Sequence, residues 1–225
     1  MAINRPYRRP SDLPAVIPVF PLAGVLLLPR GNLPLNIFEP RYLQMVDDVL
    51  AGDRVIGMIQ PRLGPDGPDE SERPELAEIG CAGRLTGLQE TGDGRYLITL
   101  TGIGRFRVVA EEDGGTPYRR CRIDAREFAA DLVPNRGEDA VDRQRLIATF
   151  RAFLDANGME TDWDAINRAS NETLVNALAM LSPYGPREKQ ALLEAGDLAT
   201  RSEVLIAVTE MALAREGGDP GSTLQ

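Results

Sequence analysis

The stretch Leu33-Pro34-Leu35-Asn36-Ile37-Phe38-Glu39-Pro40-Arg41-Tyr42-Leu43-Gln44-Met45-Val46-Asp47-Asp48-Val49-Leu50-Ala51-Gly52 changes its hydrophobic period halfway along. From Leu33 to Phe38, the residues Leu33, Leu35 and Ile37 alternate with others, the pattern of a half-buried strand. Pro40 suits the first position of a helix. Beyond it Tyr42, Leu43, Val46, Val49 and Leu50 recur at spacings of three and four, one face of a helix from Arg41 to Ala51 that Gly52 ends. A strand handing over to a helix at a proline makes this part of the chain mixed α and β.

Upstream, Val16 to Phe20 and Leu26 to Leu28 read as short strands separated by Pro21 and Gly24. The residues before them are rich in Arg and Pro and read as a frayed leader. Downstream, Arg54 to Gln60 is a strand, and Pro61 to Pro74, with four prolines and acidic charge, a mobile surface loop. Leu76 to Glu90 reads as a long strand bent or bulged at Gly80, Gly83 and Gly87. Thr91-Gly92-Asp93-Gly94 is a hairpin turn. Arg95 to Thr101 follows as one strand and, after Gly102-Ile103-Gly104, Phe106 to Ala110 as another; Tyr118 to Phe128 is the last. Strands with glycine-bent corners point to a small coiled sheet or barrel.

Near Pro134 the period changes again. Leu146, Ile147, Phe150, Phe153 and Leu154 form a helical stripe, and Thr161 is expected to cap a short helix holding Trp163 and Ile166. Ser170 caps the next helix, Pro186 opens another that Gly196 ends, and Asp197 caps the last, which Gly217-Gly218 terminate. The reading is an α+β chain: a flexible leader over 1–14, a β-rich lobe over 15–130 with one helix, a helical bundle over 131–217 and a flexible tail over 218–225.

Composition narrows function by subtraction. The 225 residues contain one lysine, Lys189, and no histidine, and the lack of histidine removes Ser-His-Asp and Cys-His catalysis, histidine general bases and nearly all zinc hydrolases. Lys189 reads as the solvated first turn of a helix, and no Gly-rich run ends in Gly-Lys-Ser/Thr, so P-loop ATP hydrolysis is excluded. Cys81 and Cys121 read as two buried strand thiols, with a disulfide between them the alternative that a reducing cytosol disfavours. Paired carboxylates such as Asp47-Asp48 and Asp162/Asp164 have no metal-loop context and read as solvated charge. No cofactor and no enzymatic activity are expected. Of the net charge of −9, residues 1–126 carry −1 and residues 127–225 carry −8, which disfavours nucleic-acid binding. The apolar run from Val16 to Leu35 is broken by four prolines and Arg30, and the first residues lack a signal-peptide core, so neither a membrane span nor secretion is read; the expected location is the cytoplasm.

The order of several motifs resembles the substrate-binding amino-terminal domain of Lon proteases. Ile17-Pro18-Val19-Phe20-Pro21-Leu22 followed by Val25-Leu26-Leu27-Leu28-Pro29 is similar to its proline-bracketed opening strands. Pro34 to Tyr42 resembles the strand-to-helix corner of its short bacterial and cereblon-like members. Glu78-Ile79-Gly80-Cys81-Ala82-Gly83 resembles a later strand in which threonine usually stands where Cys81 is, and Leu100 to Phe106 resembles a Gly-x-x-Arg-Phe strand pair. Arg187 to Leu205 is similar to the family's helical close. The resemblance covers about residues 15–215. It implies a PUA-like coiled β-sheet or barrel followed by a helical bundle. It also implies binding of unfolded or specific polypeptide segments, with none of the ATPase and peptidase machinery of full Lon proteases.

The candidate binding residues are Phe38, Glu39, Arg41 and Tyr42 at the corner, and Arg105, Phe106, Arg107, Tyr118 and Arg120. The last five lie in the only basic cluster, with Arg119 and Arg122, where alternate arginines share a strand face. Both groups have plain alternatives: Glu39 and Arg41 as braces of the helix start, Tyr42 as core, the arginines as a solvated sheet face. A polypeptide-binding module is the leading reading. An RNA-binding PUA-like module is the alternative, and a carboxylate hydrolase is disfavoured. The oligomeric state stays open.

Overall fold

A computed structural model of the chain describes residues 6–64, 67–68, 71 and 73–217. The expected tail over 218–225, and the parts of the leader and loop at 1–5, 65–66, 69–70 and 72, lie outside the described residues. The strands are β1 (Val16–Pro21), β2 (Asn32–Ile37), β3 (Val55–Ile59), the two-residue pair β4 (Leu63–Gly64) and β5 (Gly67–Pro68), β6 (Ile79–Glu90), β7 (Tyr96–Glu112) and β8 (Arg120–Asp124). Helix α1 (Pro40–Ala51) joins β2 to β3. The remaining helices follow the strands: α2 (Arg143–Ala156), α3 (Trp163–Arg168), α4 (Asn171–Leu181), α5 (Pro186–Glu194) and α6 (Leu198–Gly217).

The sheet runs β2-β7-β6-β3-β1-β8, and β8 pairs with β7 as well. That second pairing closes β7-β6-β3-β1-β8 into a ring and leaves β2 with a neighbour on one side only. All pairs in it are antiparallel except β1 with β3. Strand alternation then builds two apolar clusters. Ile17 and Val19 of β1, Val55 and Ile59 of β3, Ala82, Phe106 and Cys121 fill the inner one. Ile56 and Met58 of β3, with Cys81, Leu85, Ile98 and Leu100, join the outer one, which also takes in Tyr42, Met45 and Val46 of α1 and Leu174, Val175, Leu192 and Leu205 of the later helices. All five residues of β3 are buried because each of its faces meets one cluster.

Several elements differ from the sequence reading. Gly102-Ile103-Gly104 does not break a strand; β7 runs through it for 17 residues. The segment around Arg30 instead crosses β7 there, Arg30 N–H donating to the Gly102 carbonyl and Gly102 N–H to that of Gly31, both at 2.8 Å. A Cβ at Gly102 would run into the Leu28 carbonyl, so close approach of two backbones sets this residue type. Leu26, Leu27 and Leu28 are core residues without strand structure. The strand expected over Tyr118 to Phe128 stops at Asp124 and continues as a 3-10 turn over Arg126–Leu132. Asp162, one residue after Thr161, caps α3 by accepting from Ala165 N–H, and α5 ends at Glu194, before Gly196. Two residues of the expected leader pack against the sheet: Leu13 is buried, and Tyr7 packs on the inner cluster under the Arg84 guanidinium. Lys189 is not solvated but 3% exposed, its Nζ donating to the Ala179 and Met180 carbonyls at the end of α4 at 2.9 and 2.7 Å.

Candidate functional site

The corner between β2 and α1 gathers several of the sequence-selected side chains. Pro40 starts the helix, and Glu39 stands at its cap position without capping through its side chain. The Glu39 carboxylate instead accepts from Arg41, at 2.9 Å from Nε and 2.7 Å from Nη2. That pair holds the Arg41 guanidinium 4.7 Å over the Tyr42 ring. The ring in turn packs on Phe20 of β1, with centroids 4.2 Å apart. Burial raises the Tyr42 phenol above its usual range, with Arg41 partly opposing it, so it stays protonated near neutral pH.

Tyr118 reaches the same place from the loop before β8. Its hydroxyl donates to Asp48 of α1 at 2.6 Å, and burial, followed by that carboxylate, pushes the phenol up to about 12. Arg119 beside it donates from Nε to Glu111 and from Nη1 to the Pro74 carbonyl. The Arg119 hydrogen bond lowers the Glu111 carboxyl, with Arg73 adding to it, so Glu111 is ionised. Between these groups lies a cavity of 240 Å³ walled by Pro21, Pro61, Pro74 and Pro117 as well as Arg41, Tyr42, Tyr118 and Arg119. Both arginines already hold carboxylates. The cavity therefore offers stiff proline and aromatic walls and phenol edges, not net charge. Phe38, next to Glu39 in the chain, is 60% exposed.

The other selected residues lie elsewhere. Arg105 and Phe106 are not surface groups: they are 2% and 0% exposed. Phe106 belongs to the inner cluster. Arg105 donates from Nε and Nη2 to the Asp131 carboxylate and from Nη1 to the Leu193 and Ala195 carbonyls, tying β7 to the α5–α6 link. Alternation on β7 does put Arg105 and Arg107 on one face, but the later helices cover that face at Arg105. Arg107 is paired with Glu78 and Glu127, and Arg122 with Glu112. Arg120 is half-buried in β8. The basic cluster is thus divided among a buried bracket and separate ion pairs, and presents no continuous positive face.

Sequence reasoning missed the buried polar residues between sheet and helices. Gln60 donates to the Gln190 side chain at 3.0 Å, and Arg201 of α6, 4% exposed, donates to the Leu192 carbonyl and to Asn176. The available signal was spacing: Arg201 follows Leu198 by three and precedes Leu205 by four, inside the apolar stripe of its helix. Among the described residues, no group of three or more Cys, Asp or Glu is placed to hold a metal ion, and no helix is long and apolar enough to cross a membrane.

A family model, the substrate-binding domain of the ATP-dependent protease La (LON), matches residues 16–209. Among curated relatives, Lon protease 2 of Myxococcus xanthus is 27% identical over 200 residues, which are 87% of this chain and 24% of that protein. Lon protease 2 of Sorangium cellulosum is 29% identical over 205 residues, 88% of this chain and 25% of that one. The chain thus spans about a quarter of the length of these relatives. Two solved structures share the fold. A Lon N-terminal domain protein from Xanthomonas campestris has a TM-score of 0.59 at 22% identity, covering 85% of this chain and 97% of its own. The N-terminal domain of a Mycobacterium avium complex Lon protease has a TM-score of 0.61 at 17% identity, covering 87% and 98%.

Proposed function

This chain belongs to the Lon substrate-binding domain family, and from that membership we propose that it is a non-catalytic module that binds unfolded or specific polypeptide segments in the cytoplasm. The observation that carries the reading is the proline- and tyrosine-walled cavity at the start of α1; Phe38, two residues before Pro40 in sequence and not among the cavity's lining residues, is an exposed aromatic side chain. Rigid apolar walls with a few fixed polar edges suit an extended segment, because little ordering entropy is lost on the protein side. Strand addition is the less favoured mode. Pro34 lies in the edge strand β2, where it lacks an amide donor, and prolines there discourage further pairing.

The absence of catalysis rests on what the side chains are already doing. The single primary amine of a lysine side chain is enclosed and bonded to two carbonyls, and both thiols are buried and raised by burial, Cys121 to about 11. The RNA-binding alternative gains no support from the arginines, since Arg107, Arg119 and Arg122 each hold a carboxylate. Fluorescence anisotropy with a labelled, permanently unfolded carboxymethylated polypeptide tests the proposal. We expect saturable binding that Phe38→Ser combined with Tyr118→Ala weakens at least tenfold, with circular dichroism unchanged. Equal affinity in parent and double variant, or no binding by the parent, contradicts it.

A further inference from the structure

A second cavity, of 320 Å³, lies where the Arg30 segment, residues 130–140, α4 and the head of α6 meet. It shares no lining residue with the cavity at α1. Its charged lining is four guanidinium groups, Arg30, Arg105, Arg136 and Arg201, against three carboxylates, Asp131, Glu172 and Asp197. That is an excess of positive charge in a chain of net charge −9.

The pairing inside the cavity is incomplete. Arg30 holds Glu172, and Arg105 holds Asp131. Asp197 accepts from the Thr200 N–H at 2.8 Å and so serves its own helix. Arg136 is exposed and Arg201 buried, and neither forms an ion pair with a carboxylate among the described residues. Arg201 uses Nε and Nη1 on the Leu192 carbonyl and Asn176, and its Nη2 has no hydrogen-bond partner among the described residues. A buried guanidinium N–H without an acceptor is unfavourable, and the unengaged Nη2 of Arg201 can donate to an oxygen of an anion in a charge-assisted hydrogen bond. The first turn of the 20-residue α6 adds the positive end of its dipole at the same place. Burial, and next the charge of Arg105, lower Arg201 to about 10, a strain that a negative ligand relieves.

We propose that this cavity binds an oxyanion, the phosphate or carboxylate group of a small molecule, between Arg201 and Arg136 at the head of α6. The volume is at the lower end of that of small-molecule sites, about 300 Å³ and upward, which fits a compact ligand. The site is independent of polypeptide binding, so either reading can fail alone.

Isothermal titration calorimetry with inorganic phosphate and, separately, with succinate, at low ionic strength balanced with sodium chloride, tests the proposal. We expect saturable one-to-one binding of at least one anion, and the tighter of the two identifies the group. Arg136→Ala, at an exposed position, should weaken it tenfold or more, and Arg201→Gln should abolish it. The absence of saturable binding of both anions by the parent, or equal affinity in Arg136→Ala, would overturn the proposal. The second comparison decides even where Arg201→Gln fails to fold.

Discussion

A guanidinium taken out of water needs acceptors for five N–H bonds, and Arg105 finds them in Asp131 and in the carbonyls of Leu193, Ala195 and Gly196. Its ring neighbour Phe128 covers the flat face at 4.7 Å. Removing one side of such a pair strands a buried charge, which costs about 3–5 kcal/mol. Arg105→Met should therefore lower the free energy of unfolding in urea by that order, whereas Arg107→Met, on an exposed pair, should change it by under about 1 kcal/mol. Equal effects of the two would contradict the bracket role. Lys189 carries a different cost. Burial lowers it from about 10.5 to about 8, so between those values the unfolded chain keeps a proton that the folded chain has released. Stability from this group thus rises as pH climbs from about 8 to 10.5. The unfolding free energy of the parent relative to Lys189→Met should be flat below pH 8 and shift in favour of the parent above it. A difference independent of pH would show that the ammonium bears no burial penalty.

At the scale of elements, β7 decides the architecture, because one strand of 17 residues pairs with β2, β6 and β8. The point at which it tolerates the crossing Arg30 segment is Gly102, and a methyl group there has no space beside the Leu28 carbonyl. Gly102→Ala should cost about 1–3 kcal/mol, the range of overpacking in a close-packed interior, read as a lower urea midpoint. An unchanged midpoint would mean that the crossing is slack. This glycine also marks the limit of what the sequence discloses. Gly102-Ile103-Gly104 has the composition of a turn, and the local pattern carries no trace of the segment some 70 positions upstream that crosses it. Helix caps are easier because their chemistry is local: Ser170 accepts from Thr173 N–H and Asp197 from Thr200 N–H, as their positions before apolar stripes suggest. The corner at Pro40 was legible for the same reason. The tyrosine cavity was half legible: Arg41 and Tyr42 follow Pro40 directly, but Tyr118 arrives through ring closure. Arg105 was misread because strand alternation gives a face without saying what covers it.

At the scale of the whole molecule, the division proposed at residue 130 separates two sequence periods but not two cores. The outer apolar cluster contains Ile56 and Leu100 from the sheet together with Leu174, Leu192 and Leu205 from the helices. Gln60 and Arg105 bond across the division. Urea unfolding followed by Trp163 fluorescence, which reports on the helical region, and by hydrogen exchange at β3 should show one coincident transition; separate midpoints would mean that the two regions fold as independent domains. The proposed polypeptide binding assigns its site to the cavity at the head of α1, whose walls come from β1, α1, the loop after β3 and the loop before β8. Hydrogen–deuterium exchange, with and without a saturating unfolded polypeptide, tests that assignment most directly. The account predicts slowed exchange at residues 38–48 and 117–119, with little change along β2. Protection along β2 with none at the α1 corner would contradict it.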